Sequence, residues 1–123
     1  MTREAFEQLV GNVLDRFPED LLGFFENVAI TVRARPTPEQ RKEHGGDLLG
    51  LYEGVPQIER EGRDEFFPDR VTLFQRPLES VAHTPQRLRE EVAITLWHEI
   101  GHHLGFDDQK LHRIERRILR HLA

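Results

Sequence analysis

Apolar residues recur along the chain with two different periods, and the period separates the predicted helices from the predicted strands. Near the N-terminus they follow the i, i+3, i+4, i+7 spacing of an amphipathic helix, which predicts a helix over residues 2–17 with Thr2 as its N-cap. Pro18 and the two acids behind it predict a short second helix over about 18–25.

Alternating positions predict a strand over residues 28–35. Two further short segments, over 48–53 and 70–75, are also predicted to be strands. Pro77 limits the length of the third strand. Residues 36–47 are polar and rich in Pro and Gly, so we interpret them as a loop with one helical turn at 38–43. Residues 54–69 form a long acidic connection, and we expect a loop of this length to be functional and to border a cleft.

Two more helices are predicted in the C-terminal third of the chain. Thr84 and Pro85 are the expected N-cap and first residue of a long helix over about 85–104. The last helix begins at Asp107 or Asp108 and runs to about residue 122. The sequence thus predicts an α+β fold, and its length predicts a single domain over residues 1–123.

The long helix carries one polar stripe on an otherwise apolar surface, and this stripe contains the pattern H-E-x-x-H-x-x-G-x-x-D. His98 and His102 are four residues apart, so they project from one helix face and can hold a divalent metal. Glu99 is turned about 100° from His98, where a general base can take a proton from metal-bound water. Gly105 can end the helix in a left-handed conformation, after which Asp108 can reach the metal. Two His and one Asp leave a position for water, as in catalytic zinc sites.

This motif, in a chain of this size, resembles that of the small bacterial zincin-like metallopeptidases, a minimal version of the zincin fold. Residues 48–54 and 69–74 also resemble segments of that family. The resemblance implies a three- to four-stranded mixed sheet packed on the N-terminal, active-site and C-terminal helices. It also implies one zinc ion per chain and a peptide or protein substrate.

In zincins an extended substrate adds to the sheet edge nearest the metal. The resemblance therefore assigns substrate binding to the third strand, although this segment could equally be a core strand. The assigned residues are Val71, Thr72, Leu73 and Phe74.

The expected chemistry is hydrolysis of a peptide bond, with Glu99 taking the proton of the attacking water and passing it to the leaving amine. The third metal ligand is the open part of this site. Asp108 fits the family motif by position, whereas Asp107 and the more distant Glu115 are alternatives. Tyr52 could donate to the oxyanion, but a packing role is more common for a buried aromatic residue.

The remaining histidines receive structural interpretations. His103 is turned about 100° from His102, so we expect it to be a packed or hydrogen-bonded core residue. His112 and His121 are expected at the surface of the last helix, and the position of His44 in a loop gives no interpretation.

Composition excludes several classes of protein. The chain has no Cys, so disulfides and thiolate metal sites are excluded. Its net charge of −5 disfavours a nucleic-acid partner. The N-terminus is too polar for a signal peptide and no apolar run is long enough for a membrane span, so we expect a cytoplasmic protein. The sequence gives no prediction of oligomeric state.

Two other functions are compatible with the motif. A non-catalytic module could bind a metal and a peptide strand without cutting it, and Glu99 would look the same. The endoribonucleases of ribosomal RNA maturation have a similar helix with a three-His motif. Here a Glu follows the first His and the last ligand is Asp, which favours the peptidase, as does the acidic charge balance.

Overall fold

Helices form both ends of the chain, and a three-stranded sheet lies between them in sequence. The computed structural model describes residues 1–54 and 68–123. In chain order the elements are α1 (Arg3–Asp15), a 3-10 helix (Glu19–Phe25), β1 (Val28–Arg33), α2 (Pro38–His44), β2 (Gly50–Glu53), β3 (Asp69–Phe74), α3 (Gln75–Val81), α4 (Pro85–His103) and α5 (Asp108–Leu122). The fold is therefore the mixed α+β fold predicted from the sequence. Most of the long acidic connection, and with it the expectation that it borders a cleft, lies outside the described residues.

Side-chain caps fix where the helices begin. The Thr2 hydroxyl accepts a hydrogen bond from the Ala5 amide, and the Thr84 hydroxyl accepts one from the Arg87 amide, each at 3.1 Å. Both caps were predicted, because Thr before an amphipathic segment satisfies one of the free amides of its first turn.

The sheet has the strand order β1-β3-β2, with β1 parallel and β2 antiparallel to β3. β3 is therefore the middle strand, and the prediction that it is a substrate-binding edge is wrong. Its backbone groups pair with the two neighbouring strands. The side chains that were expected to bind substrate are buried. These are Val71, Thr72, Leu73 and Phe74. Among the described residues, β2 is the edge strand beside α4.

α3 was not predicted from the sequence. β3 ends at Phe74 and the helix follows at once, with Pro77 as its third residue. Proline is tolerated in the first turn of a helix because its missing amide has no partner there in any case. Pro77 therefore belongs to the start of a helix as well as following the end of a strand.

The core lies between α4 and the elements packed around it, and two glycines set how closely they approach. A Cβ on Gly50 would lie 2.6 Å from Thr95 Cγ2, and one on Gly101 would lie 2.0 Å from Leu111 Cδ2. β2 and α5 therefore both pack tightly against the part of α4 that carries the histidines. In the described parts of the chain no helix has the length and apolar character needed to cross a membrane.

Candidate metal centre

The C-terminal end of α4 is closed by a left-handed glycine. Gly105 has φ 80°, and its amide donates to the His102 carbonyl at 3.0 Å. The Phe106 amide donates to the Gly101 carbonyl at 2.9 Å. These two bonds form the Schellman motif, which confirms the predicted helix end at Gly105 and turns the chain back so that α5 lies against α4.

One face of α5 meets the histidines of α4. Asp108, His112 and Glu115 are spaced i, i+4 and i+7, so they lie along one side of the helix. The Glu115 Oε1 atom is 2.9 Å from His98 Nε2, and Asp108 Oδ1 is 3.9 Å from His102 Nε2. Each imidazole of the motif therefore has one carboxylate of α5 as its neighbour.

The types of donor suit a zinc ion, and the spacing of one of the two pairs matches that of two ligands on one ion. Two donors about 2.05 Å from a common ion are about 2.9 Å apart at a right angle and about 3.3 Å apart at the tetrahedral angle. The His98–Glu115 distance of 2.9 Å matches this range, and the His102–Asp108 distance of 3.9 Å exceeds it slightly. Over residues 1–54 and 68–123, no three His, Asp or Glu side chains converge as they stand. The Asp108 side chain is 87% exposed and can rotate toward His102.

Asp107 has a structural function. It is the N-cap of α5, and its Oδ1 atom accepts a hydrogen bond from the Lys110 amide at 2.8 Å. Because this carboxylate satisfies the first turn of the helix, the geometry gives no support to Asp107 as a metal ligand.

Glu99 points to the sheet. Its Oε1 atom accepts a hydrogen bond from the backbone amide of Tyr52 on β2, at 2.9 Å. Burial raises the pKa of Glu99 above its ordinary value, and this effect outweighs the opposing effects of the Tyr52 amide and of positive charge on His102, His44 and His98. The carboxylate is therefore held between the histidine helix and the edge strand.

A cleft of about 510 Å³ lies in front of these groups. Its walls include His98, Glu99 and His102 from α4 and Gly50 from β2, and His44 at the end of α2 also lines it. His44 could not be assigned to the cleft from the sequence, because a histidine in a polar loop can face any direction.

Tyr52 and His103 form a separate contact beside the cleft. Their rings are stacked, with centroids 3.9 Å apart, and the Tyr52 hydroxyl donates to Asp69 Oδ2 at 2.6 Å. This hydrogen bond does not support Tyr52 as an oxyanion donor. The interpretation of His103 as a core residue is wrong, because its side chain is 45% exposed at the end of α4.

Sequence reasoning did not identify two residues of α5 that lie next to the motif histidines. His112 is exposed, as expected, but its ring centroid is 5.7 Å from that of His98. Glu115 was considered only as a distant alternative, yet it makes the closest contact to His98 described above. The i, i+4, i+7 spacing from Asp108 was a signal that could have grouped them.

Two histidines one turn apart with a glutamate between them, on a helix next to a sheet edge and a cleft, are typical of helix-based metallohydrolases. The sequence model of the zincin-like metallopeptidase family matches residues 25–118 of the 123-residue chain. The chain therefore belongs to this family, and the match includes the sheet, α4 and most of α5. A comparison with curated proteins finds no match. Family membership supports a metallopeptidase and implies zinc as its metal.

Proposed function

We propose that the protein is a zinc-dependent peptidase in which Glu99 is the general base. The observation that carries this proposal is the hydrogen bond from the Tyr52 amide to Glu99 Oε1. It fixes the carboxylate at the cleft, next to the two histidines and next to the strand where a peptide can bind. The Oε2 atom is then left to accept a proton.

His98, His102 and Asp108 are the proposed ligands of one zinc ion. Two imidazoles and one carboxylate suit zinc and leave a position for water. When bound, the ion supplies a Lewis acid and lowers the pKa of that water. Asp108 completes the set by a side-chain rotation, which its exposure allows.

Glu99 moves the proton in the proposed reaction. It takes the proton of the attacking water and passes it to the leaving amine, so that one group acts as base and then as acid. Burial raises the pKa of this carboxyl in the metal-free protein, which makes it a stronger base than an exposed glutamate.

The substrate strand is proposed to add to β2, in place of β3. The Phe74 amide donates to the Leu49 carbonyl at 3.0 Å, so the backbone groups of Leu49 point toward β3. In an antiparallel pair every second residue points the same way, so the N–H and C=O groups of Leu51 also point toward β3. The backbone groups of Gly50 and Tyr52 then point to the opposite edge, which agrees with the bond from Tyr52 to Glu99. An extended peptide paired with Gly50 would run through the cleft past Glu99.

Zinc content and peptide cleavage, measured together for wild type and Glu99→Gln, test this function. We expect about one zinc per chain in both proteins, because Gln can still accept the Tyr52 hydrogen bond. Cleavage of a fluorogenic peptide library should fall at least about 100-fold in the variant, as for loss of a general base. Glu90→Gln is the matched control, because Glu90 lies on the same helix and pairs with Arg87.

Three results would contradict the proposal in different ways. Unchanged cleavage by Glu99→Gln would mean that another group is the base. Peptide binding without cleavage by the zinc-loaded wild type would favour a binding module. Failure of the wild type to bind zinc, even after zinc is added, would remove the metal centre itself.

A further inference from the structure

The carboxylate of Glu115 lies against the ring nitrogen of His98. Its Oε1 atom is 2.9 Å from His98 Nε2, and the two side chains are 21% and 26% exposed. This contact is shorter and less exposed than the one between Asp108 and His102. A partly buried carboxylate therefore lies beside the ring nitrogen through which His98 would bind an ion.

We propose that Glu115 is a further protein donor of the metal centre and binds the ion alongside His98. This inference rests on the proposed function, in which His98 and His102 hold zinc and Asp108 is the carboxylate of the family motif. The 2.9 Å separation equals the spacing of two ligands at a right angle on one ion. Zinc accepts a fifth ligand, so a donor from Glu115 still leaves room for water.

The hydrogen bond between Glu115 and His98 also competes with the ion for the ring nitrogen. The energy lost with this hydrogen bond must therefore be compared with the attraction between the carboxylate and the ion. Metal binding at His98 Nε2 breaks that one hydrogen bond. In return, a carboxylate in contact with a divalent cation gains an attraction several times larger than a single hydrogen bond. Partial burial keeps this attraction from being fully screened by salt. Glu115 should therefore strengthen metal binding.

Measurements on the metal alone test this without any substrate. Zinc affinity is measured by competition with a chromophoric chelator for wild type, Glu115→Gln and Glu90→Gln. Glu90 is the matched control because its side chain is 23% exposed and also makes one ion pair. We expect Glu115→Gln to weaken zinc binding tenfold or more and Glu90→Gln to leave it unchanged. Cobalt absorption at saturation should change in Glu115→Gln alone, since it reports the ligands themselves.

Equal affinity and an equal cobalt spectrum in Glu115→Gln and wild type would overturn the inference, and so would tighter binding in the variant. His98→Ala separates this failure from failure of the proposed function, because it should lose zinc whether or not Glu115 is a donor. If Glu115→Gln does not fold, Glu115→Asp keeps the charge but shortens its reach. An altered cobalt spectrum in that variant supports the inference, and an unaltered one overturns it.

Discussion

At the scale of single residues, two adjacent aspartates have different surroundings. Asp107 accepts the Lys110 amide and caps α5, whereas Asp108 is exposed and faces His102. The sequence offered both as the third ligand because they are adjacent and chemically identical. Only the direction of each side chain, which the helix start determines, separates the cap from the proposed donor.

We therefore predict that one alanine substitution lowers stability and that the other lowers zinc affinity. Asp107→Ala should lower the free energy of unfolding by about 1 kcal/mol, the value of an N-cap, and leave zinc affinity nearly unchanged. Asp108→Ala should weaken zinc binding at least tenfold and change the stability of the metal-free protein by only about 0.5 kcal/mol. Urea unfolding in a chelator and zinc competition measure the two quantities. The reverse pattern would make Asp107 the ligand.

The residues that sequence reasoning found are those linked by one helix. His98, Glu99 and His102 share a face or a turn of α4, so helix geometry alone relates them. The contact between Glu99 and Tyr52 joins residues that are 47 positions apart. No local period encodes such a contact, because it depends on how the sheet packs against the helix.

At the scale of elements, α4 and α5 are in close contact at Gly101. Gly101 lies at an unspecified position of the H-E-x-x-H pattern, to which no function was assigned from the sequence. The added Cβ would meet Leu111, a fully buried residue of α5 that lies between Asp108 and Glu115 in sequence. The Leu111 side chain therefore occupies space that a side chain at position 101 would need, and the two helices pack closely at this point.

Gly101→Ala should destabilise the metal-free protein by up to about 2 kcal/mol, although alanine favours a helix. The cost of overpacking is about 1–3 kcal/mol, and the gain in helix propensity of about 1 kcal/mol offsets part of it. Zinc binding should weaken as well, because α5 is pushed away from α4. Gly11→Ala is the control, since that position on α1 is open and the change should stabilise by up to about 1 kcal/mol. Equal stability of the two variants in urea would contradict this explanation.

The helices with a clear apolar periodicity were predicted from the sequence, whereas the order of the strands in the sheet was not. The apolar periodicity of α1, α4 and α5 identifies each helix and its buried face. The sequence of β3 does not distinguish a central strand from an edge strand, because its pairing partners are distant in sequence. The parallel pairing with β1, across 41 positions at Ile30 and Val71, makes it central.

At the scale of the whole molecule, Glu79 on α3 links the N-terminal residue Met1 to the helix that follows β3. Its Oε2 atom pairs with the Met1 amino group at 2.9 Å, and Arg76 contacts the same carboxylate at 3.0 Å. Gln75 donates to the Met1 carbonyl at 2.8 Å. These contacts hold residues that are far apart in sequence, so their loss should be seen in global unfolding.

Glu79→Gln should make stability less dependent on pH. Burial acts to raise the pKa of Glu79, but its bonds to the Met1 amino group, Gln75 and Arg76 outweigh burial and lower the pKa. In the acid range the unfolded chain therefore binds more protons at this position than the folded one, so stability rises with pH. The contribution is fully present above the ordinary carboxyl pKa and is lost as pH falls through the lowered one. We expect a loss of about 1 kcal/mol in the variant at pH 7, and a progressively smaller loss as the pH falls below the ordinary carboxyl pKa. Urea unfolding across this range, with the exposed Glu26→Gln as control, measures the difference, and a loss that is the same at both ends would contradict it.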